Sequence, residues 1–504
     1  MQGAALIASA SGLLIALTGC ASLPTGVDRA QSKALADTGN TRLGRALAPL
    51  VAANSGKTGV HALSSGRDAF AARVVLARAA DRSLDVQYYI WHPDTSGALL
   101  AEELWQAAER GMRVRLLLDD NNTRGMDEAI AALDAHPNIE VRLFNPYANR
   151  AWRLGELVSD FARVNRRMHN KSFTADNQAS IVGGRNVGDE YFGAGSPVEF
   201  ADLDALAIGA VVPAISASFD AYWNSESAYP ASSLIAATNA QFPWEKLQET
   251  HEAARYLQAV RATPLVQMLL AGSLPLEWAQ ARLVQDDPSK VLQPPERTEL
   301  HLLPHMVEAL GEPRREVDLV SPYFVPTKEG TAALVALAAR GVKVRVLTNS
   351  LAATDVAPVH AGYAKYREAL IRGGIRLYEL KPFVEKKNAK ERPLGGSSDA
   401  SLHAKTFAVD RNRIFVGSFN FDPRSARLNT EMGVVVESAA LATQLSEAFD
   451  RGIPGVAYEV RLAADGGGLE WLEGDVRHTS EPGTGVLRRL WIDFLSILPI
   501  EWLL

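Results

Sequence analysis

Cysteine, long apolar runs and excess positive charge are all scarce in this sequence. The 504 residues include a single cysteine, Cys20, which excludes a disulfide within the chain. The apolar stretch at residues 4–17 is too short for a comfortable transmembrane span. A net charge of −6 gives no general attraction to nucleic acid, so no nucleic-acid partner is expected. With 47% hydrophobic and 22% charged residues, the chain is expected to be a globular protein with two domain cores.

The apolar stretch ends in Leu-Thr-Gly-Cys at residues 17–20. This arrangement is typical of a lipobox, in which the cysteine is acylated, and a small buried thiol is the alternative. Ala21, in place of Asp, indicates sorting to the outer rather than the inner membrane. We therefore predict a lipoprotein signal at residues 1–20, acylation of Cys20 and a polar tether at residues 21–59. The protein would then be a lipid-anchored membrane protein of the bacterial cell envelope that faces the periplasm.

A pattern that carries chemistry, His-x-Lys-x4-Asp, occurs twice. The two copies consist of His169, Lys171 and Asp176, and of His403, Lys405 and Asp410. A His and a Lys two positions apart on a strand project from the same face. A phosphodiester reaction can use one imidazole to attack phosphorus, a second to protonate the departing oxygen, and lysines to hold the other phosphoryl oxygens. The repeated pattern therefore predicts an enzyme that acts on phosphodiesters.

The surroundings of the motif repeat as well. Asn186 and Asn420 are separated by the same number of residues as the two histidines, and a strand, helix, strand order precedes each motif. We predict an α/β fold in which two homologous halves pack as a pseudo-two-fold pair, with the active site at their interface. The predicted boundaries are 60–224 for the first half, 225–280 for a helical connector, 281–460 for the second half and 461–504 for a C-terminal tail.

These residues resemble the phospholipase D superfamily, whose signature is His-x-Lys-x4-Asp followed by Gly-Ser or Gly-Gly and an Asn. The resemblance covers about residues 60–460, and the runs at 85–91, 119–122 and 166–172 are similar to bacterial cardiolipin synthases without transmembrane helices. It implies phosphatidyl transfer between phospholipids through a phosphohistidine. His169 is then the expected nucleophile and His403 the general acid and later base, although the symmetry of the sequence permits the reverse.

The resemblance also implies how the phosphate is held. Lys171, Lys405, Asn186 and Asn420 are expected to contact the phosphoryl oxygens. Ser418 is expected to be a further donor in the second half, whereas Gly184 lacks that hydroxyl in the first. No cofactor is expected. Because both motifs lie in one chain, we expect a monomer. Whether activity requires an accessory protein is left open by the sequence.

A neutral imidazole nucleophile needs an acceptor for its other nitrogen, so a carboxylate is expected behind each histidine. The motif aspartates, Asp176 and Asp410, belong to the candidate catalytic set, but each precedes residues typical of a tight turn, and a turn role is favoured. Glu431 in the second half and Asp202 in the first are better orienting candidates. Asp204 is equally close to the aligned position.

No metal is expected, because the lysine within each motif would repel a divalent cation. The adjacent Asp119 and Asp120 follow a strand in one half only, and the second half has Asn349 and Ser350 there. Hydrolysis by a phospholipase D or a nuclease, and a non-enzymatic lipid-binding lipoprotein, are the alternative functions. Residues 381–398 are predicted to form a mobile loop near the site. The end of the tail, residues 486–504, fits an amphipathic segment that lies on a membrane or packs on the enzyme itself.

Overall fold

The computed structural model describes residues 22–195, 199–237, 250–382, 400–464 and 466–504. The α-helices are α1 (Arg42–Ala53), α2 (Gly66–Ala79), α3 (Thr95–Glu109), α4 (Asp127–Asp134), α5 (Arg153–Ser159), α6 (Phe161–Val164), α7 (Asp189–Phe192), α8 (Val212–Trp223), α9 (His251–Arg261), α10 (Pro264–Leu270), α11 (Leu302–Leu310), α12 (Thr327–Ala339), α13 (Ala357–Ala364), α14 (Arg367–Arg372), α15 (Pro423–Arg427), α16 (Ala439–Glu447), α17 (Ile453–Val456) and α18 (Val486–Ile497). The strands are β1 (Thr58–Leu63), β2 (Ser83–Tyr88), β3 (Arg113–Asp119), β4 (Ile139–Phe144), β5 (Ser172–Ala175), β6 (Ala179–Gly183), β7 (Glu199–Ala201), β8 (Asp204–Gly209), β9 (Ala228–Pro230), β10 (Glu277–Gln285), β11 (Glu316–Val320), β12 (Lys343–Asn349), β13 (Arg376–Leu380), β14 (Ala400–Leu402), β15 (Lys405–Val409), β16 (Arg413–Gly417), β17 (Met432–Glu437), β18 (Ala457–Leu462), β19 (Leu469–Glu473) and β20 (Val476–His478).

Each half is built on a mixed sheet with the same strand order. In the first half the order is β9-β4-β3-β2-β5-β6-β8-β1, with β2, β3 and β4 parallel. In the second half it is β18-β13-β12-β11-β15-β16-β17-β10, with β11, β12 and β13 parallel. The antiparallel pair β1 and β10 joins the two into one continuous sheet of eighteen strands. The predicted duplicated α/β fold is therefore confirmed.

Equivalent ion pairs show that the repeat extends to buried side chains. Arg115 Nε lies 2.7 Å from Asp85 Oδ1 on β3 and β2, and Arg345 Nε lies 2.6 Å from Asp318 Oδ1 on β12 and β11. A core shared by both halves contains apolar residues of β6, β8, β16 and β17, such as Val182. The two halves are consequently packed against each other through buried apolar surface.

The predicted tether is wrong for the part of it that the structure describes. The backbone N–H of Ala34 donates to both carboxylate oxygens of Asp220, at 3.0 and 2.9 Å. Helix α1 follows, and its Leu47 packs on the core of the first half. This segment is thus held by partners far along the chain, because a half-buried carboxylate such as that of Asp220 needs donors.

Two other predicted segments differ from the structure or fall outside it. The predicted helical connector, 225–280, does contain α9 and α10, but it also contains β9 and the start of β10, and its residues 238–249 lie outside the described part. Cys20 and residues 383–399, most of the predicted loop, also lie outside it. In the tail, α18 packs Ile492 and Leu495 against Leu351 and exposes its other face. None of the helices in the described ranges is long and apolar enough to cross a membrane.

Candidate active site

The two motifs meet at the interface of the halves, where each is held by the backbone of the other half. The N–H of His169 donates to the carbonyl oxygen of Thr430 at 2.8 Å. The short strands β7 and β14 pair in parallel, and the N–H of His403 donates to the carbonyl oxygen of Ala201 at 2.9 Å. Contacts between the halves therefore help to fix the residues just before β5 and β15.

The orienting carboxylates cross between the halves. Nδ1 of His169 lies 2.8 Å from Oε2 of Glu431, and Nδ1 of His403 lies 2.6 Å from Oδ2 of Asp202. With Nδ1–H donating to a carboxylate, the lone pair of each imidazole is on Nε2. Asp202 rather than Asp204 has this position, since Oδ2 of Asp204 pairs with Arg73 at 2.9 Å.

Burial and the neighbouring charges set the charge of these four groups. It lowers the pKa of His169 to about 4 and that of His403 to about 3, although the facing carboxylates act in the opposite direction. Burial alone raises the pKa of Glu431 and Asp202, but the adjacent imidazoles and lysines outweigh it, so both pKa values lie below their ordinary range. At neutral pH, before a substrate binds, each pair is a neutral imidazole beside a carboxylate.

The motif lysines are buried next to the histidines. Nζ of Lys171 donates to the carbonyl oxygen of His169 at 2.6 Å, and Nζ of Lys405 donates to that of His403 and lies 3.0 Å from its Nδ1. Burial lowers the pKa of Lys405 to about 8 and that of Lys171 well below its ordinary value. Each lysine donates to a backbone carbonyl oxygen, and as ammonium groups, which the charge of a phosphate favours, both are suited to bind its oxygens.

Ser418, predicted as a phosphate donor, has a carboxylate partner in this structure. Its hydroxyl donates to Oε2 of Glu431 at 2.5 Å and so helps to orient the carboxylate behind His169. At the equivalent position in the first half, a Cβ on Gly184 would lie 2.1 Å from Oδ1 of Asp202. The missing side chain therefore makes room for the carboxylate itself, which the pattern of residue types did not reveal.

The two motif asparagines also differ. Oδ1 of Asn186 accepts from the N–H of Ile90 at 3.1 Å, and its Nδ2 donates to the hydroxyl of Tyr191 at 3.0 Å. Oδ1 of Asn420 is buried without a partner among the described residues. Asn186 supports Tyr191, whose ring packs edge-on against His403 with centroids 5.2 Å apart, so Nδ2 of Asn186, the donor that a phosphoryl oxygen would need, is already engaged.

The motif aspartates lie at the other end of the strands and are not part of the catalytic cluster. The carboxylate of Asp176 accepts the N–H groups of Asp81, Arg82 and Ser83 at 2.8 to 2.9 Å. Asp410 accepts equivalent N–H groups just before and at the start of β11. Both residues have positive φ, 50° and 54°, in the turn after β5 or β15. Four strand residues separate each aspartate from its lysine, a span of about 17 Å, so the prediction that they are catalytic is corrected to a structural role.

Several residues at the site were not predicted as site residues. Tyr89 packs edge-on against His169 with centroids 5.0 Å apart, and Phe200 stacks on His403 at 5.2 Å. Oδ2 of Asp119 accepts the N–H of Met168 at 2.7 Å, and Oδ1 of Asn349 accepts that of Leu402 at 2.9 Å. The equivalent positions of Asp119 and Asn349 at the ends of β3 and β12 were the signal that could have identified them. Within the described ranges, no group of three or more His, Cys, Asp or Glu side chains could hold a metal.

The similarities to known proteins agree with this arrangement. The family model described as "Cardiolipin synthase, PLD-like domain" matches residues 75–198 and 306–453, together more than half of the chain. Cardiolipin synthase C of Escherichia coli (strain K12) is 46% identical over 479 residues, which are 92% of this chain and 100% of that protein. Cardiolipin synthase A of Pseudomonas syringae is 26% identical over 389 residues, 77% of this chain and 66% of that protein.

A solved structure supports the fold. The crystal structure of phosphatidylserine synthase from Haemophilus influenzae Rd KW20 is similar with a TM-score of 0.50 and 13% identity, and covers 79% of this chain and 87% of that one. An identity this low bears on the fold alone. Taken with the two His-Lys motifs and the family match, these similarities establish that the chain belongs to the phospholipase D superfamily, in the family of cardiolipin synthase PLD-like domains.

Proposed function

We propose that this enzyme is a phosphatidyltransferase that makes cardiolipin from phospholipids, as the name of its Escherichia coli relative indicates for that protein. The observation that carries the proposal is the pair of crossed dyads, His169 with Glu431 and His403 with Asp202. Two imidazoles, each with a free Nε2 and with ammonium groups beside them, supply one nucleophile and one acid-base group for a phosphodiester.

In the first step, Nε2 of His169 attacks phosphorus, and the bond from phosphorus to the headgroup oxygen breaks. That oxygen leaves as an alcohol with a proton from Nε2 of His403. The phosphodiester brings a negative charge next to His403, which raises the pKa of His403 from its value of about 3 in the empty site. Lys171, Lys405 and Asn420 hold the non-bridging oxygens as the charge on them grows.

In the second step the hydroxyl of an acceptor lipid replaces the leaving alcohol. His403 removes the proton of this hydroxyl, the oxygen attacks phosphorus, and the phosphorus–nitrogen bond to His169 breaks. Both histidines then regain their starting state. Water in place of the acceptor would give hydrolysis, so transfer depends on excluding water from the site. Apolar surface that can do so flanks the two imidazoles at Tyr89, Tyr191 and Phe200.

The experiment is an analysis of products by mass spectrometry. The purified enzyme is given phosphatidylglycerol alone, or together with phosphatidylethanolamine. Cardiolipin accompanied by released glycerol or ethanolamine is the expected outcome, and which headgroup is released identifies the donor. Phosphatidic acid as the main product would replace transfer with phospholipase D hydrolysis at the same site.

We further propose that the enzyme acts as a lipid-anchored protein. Support comes from the lipobox at residues 17–20, which lies outside the described residues, and from the residue after it, Ala21, which favours the outer membrane. Two or more acyl chains provide the stable anchoring that one chain does not. Since a single chain supplies both dyads, we expect an active monomer, with or without an accessory protein.

A further inference from the structure

Helix α18 near the C-terminus has one buried and one exposed apolar face. Ile492 and Leu495 are buried against the body of the second half. The other face exposes six large apolar side chains, at 52 to 83% of their possible area: Val486, Leu487, Leu490, Trp491, Phe494 and Ile497. Soluble proteins seldom expose contiguous apolar patches of this kind without a binding role.

A second group of exposed apolar residues lies in the first half, at helices α5 and α6. It consists of Trp152, Leu154, Val158 and Phe161, of which Val158 is 87% exposed. The ring of Phe161 meets that of Trp502, which is also exposed, edge-on at 6.4 Å. Trp502 lies five positions after Ile497, so the two groups meet at the chain end and are treated together as the apolar surface.

The first-half part of this surface borders the site. Arg153 on α5 donates to the carbonyl oxygen of Asn121 at 3.2 Å. The side-chain nitrogen of Asn121 lies 3.4 Å from the hydroxyl of Tyr89, whose ring packs against His169. A chain of only a few contacts therefore connects helix α5 to the nucleophile His169.

The tail borders the site from the second half. Arg488 on α18 donates to the carbonyl oxygen of Thr354 at 3.4 Å. The next residue, Asp355, is exposed, accepts from the hydroxyl of Tyr323 at 2.7 Å and lies within electrostatic range of the buried Lys405. One part of the apolar surface, in the first half, and the other, in the tail, thus each lie a few contacts from the catalytic residues.

We propose that the apolar surface docks on a phospholipid bilayer and holds the site opening against the headgroups. The proposal rests on the proposed function, because a phospholipid substrate makes the bilayer the occupant. Trp152, Trp491 and Trp502 are of the type that favours the membrane interface, and the exposed Arg488 beside them suits anionic lipid. A second copy or another protein on this surface would close the opening through which the lipid must pass.

The single native cysteine allows a direct test. In the full chain with Cys20→Ser, one new cysteine is introduced by Leu490→Cys, Phe494→Cys or Val158→Cys and labelled with a polarity-sensitive fluorophore. Leu50→Cys is the matched control, because Leu50 is an exposed apolar residue away from the site. It lies on α1, whose Arg42 pairs with Asp81 at the end of the sheet opposite the site. Vesicles of phosphatidylglycerol with brominated acyl chains serve as the probe.

We expect vesicles to quench the label at positions 490, 494 and 158 and to leave the label at position 50 unchanged. The variant Leu490→Gln with Phe494→Gln should bind such vesicles at least about tenfold more weakly, whereas Leu50→Gln should not. Both should transfer phosphatidyl from monomeric short-chain lipid at the wild-type rate. Melting curves of all variants check that they are folded.

Lack of quenching at 490 and 494 in a chain that still makes cardiolipin would overturn the docking surface and leave the proposed function intact. Shielding of these labels by self-association, without lipid, would likewise overturn it in favour of a second copy. Quenching by a protein that transfers no phosphatidyl group would instead contradict the proposed function and leave the docking surface in place.

Discussion

His403 and Asp202 are 201 positions apart in the chain, yet Nδ1 of the imidazole lies 2.6 Å from Oδ2 of the carboxylate. His169 and Glu431 form the reciprocal pair across 262 positions. Each half thus provides a histidine for itself and a carboxylate for the other. The active site consequently depends on the packing of the two halves, and a half expressed alone would hold each histidine without its acceptor.

The first prediction concerns the two histidines. His169→Ala and His403→Ala should each abolish phosphatidyl transfer, because one removes the nucleophile and the other the acid-base group. The wild-type enzyme should keep full activity in EDTA. Activity that survives either substitution, or that EDTA removes and a divalent cation restores, would contradict a metal-free reaction on two histidines.

The second prediction concerns the crossed carboxylates. Asp202→Asn and Glu431→Gln keep the shape but remove the charge that fixes Nδ1–H, so kcat should fall by about 10²- to 10⁴-fold. The pKa of the facing histidine should fall further, since the carboxylate raises it. Asp204→Asn is the control: it breaks a buried pair with Arg73 and should lower stability rather than kcat per folded molecule. Equal kcat losses in all three variants would argue against the dyads.

The third prediction is that the motif aspartates act on stability. Asp176→Ala leaves three backbone N–H groups without their acceptor and should lower the free energy of unfolding by about 2–4 kcal/mol in denaturant titrations. Asp176→Asn should recover part of this loss, because Asn keeps one acceptor oxygen and tolerates positive φ. Activity per folded molecule should change little, and a kcat loss as large as that of His169→Ala would restore a catalytic role.

The same prediction has a pH dependence at Asp410. Burial tends to raise the pKa of Asp410, but the N–H groups of Glu316, Arg315 and Arg314 outweigh it, and the pKa lies below its ordinary value. A carboxyl with a lowered pKa stabilises the fold above its ordinary pKa, and this stabilisation is lost as the pH falls through the lowered value. The difference in unfolding free energy between wild type and Asp410→Ala should therefore be constant near neutral pH and shrink below about pH 4.

The sequence was sufficient to predict the fold because the repeated features lie close together along the chain within each half. Each motif sits at a fixed distance from its own turn, strand and asparagine, and strands such as β2 and β11 are recognisable from their apolar composition. The turn role of Asp176 and Asp410 was also predictable, since Asp is common where φ is positive.

The remainder depends on contacts between distant segments. Asp202 of the first half contacts His403 of the second because of the way the halves pack. The repeat within the sequence does not show how the two halves pack. The same holds for Ala34, which is held by Asp220, and for Ser418, whose hydroxyl donates to Glu431. Residue types were thus predicted more readily than residue partners.

The fourth prediction concerns Cys20, which lies outside the described residues. If Cys20 is acylated, the protein should fractionate with membranes and take up labelled palmitate, and Cys20→Ser should accumulate as the unprocessed precursor. Ser keeps the size of the side chain and removes the thiol. A wild-type protein with an unmodified N-terminus, free of lipid, would refute the anchor.

The fifth prediction separates the nucleophile from the acid-base group. A His169 nucleophile forms a covalent phosphatidyl adduct before the acceptor arrives. His403→Asn keeps this nucleophile and removes the base for the second step, so it should accumulate adduct from a donor whose headgroup is a good leaving group. His169→Asn should form none. The measurement is acid-labile, base-stable label on the protein after brief mixing with acyl-labelled donor.

The opposite result has a clear meaning. Label on His169→Asn and none on His403→Asn would exchange the two roles and leave the family unchanged. The structure makes this exchange the sharpest alternative, because both histidines have the same kind of partner: a carboxylate at Nδ1, a lysine two residues on and an aromatic ring against the imidazole. They differ in the lysine, since Nζ of Lys405 lies 3.0 Å from Nδ1 of His403. A nearby ammonium disfavours a proton on His403 in the empty site, so we expect His403 to gain its proton only when the phosphate is bound.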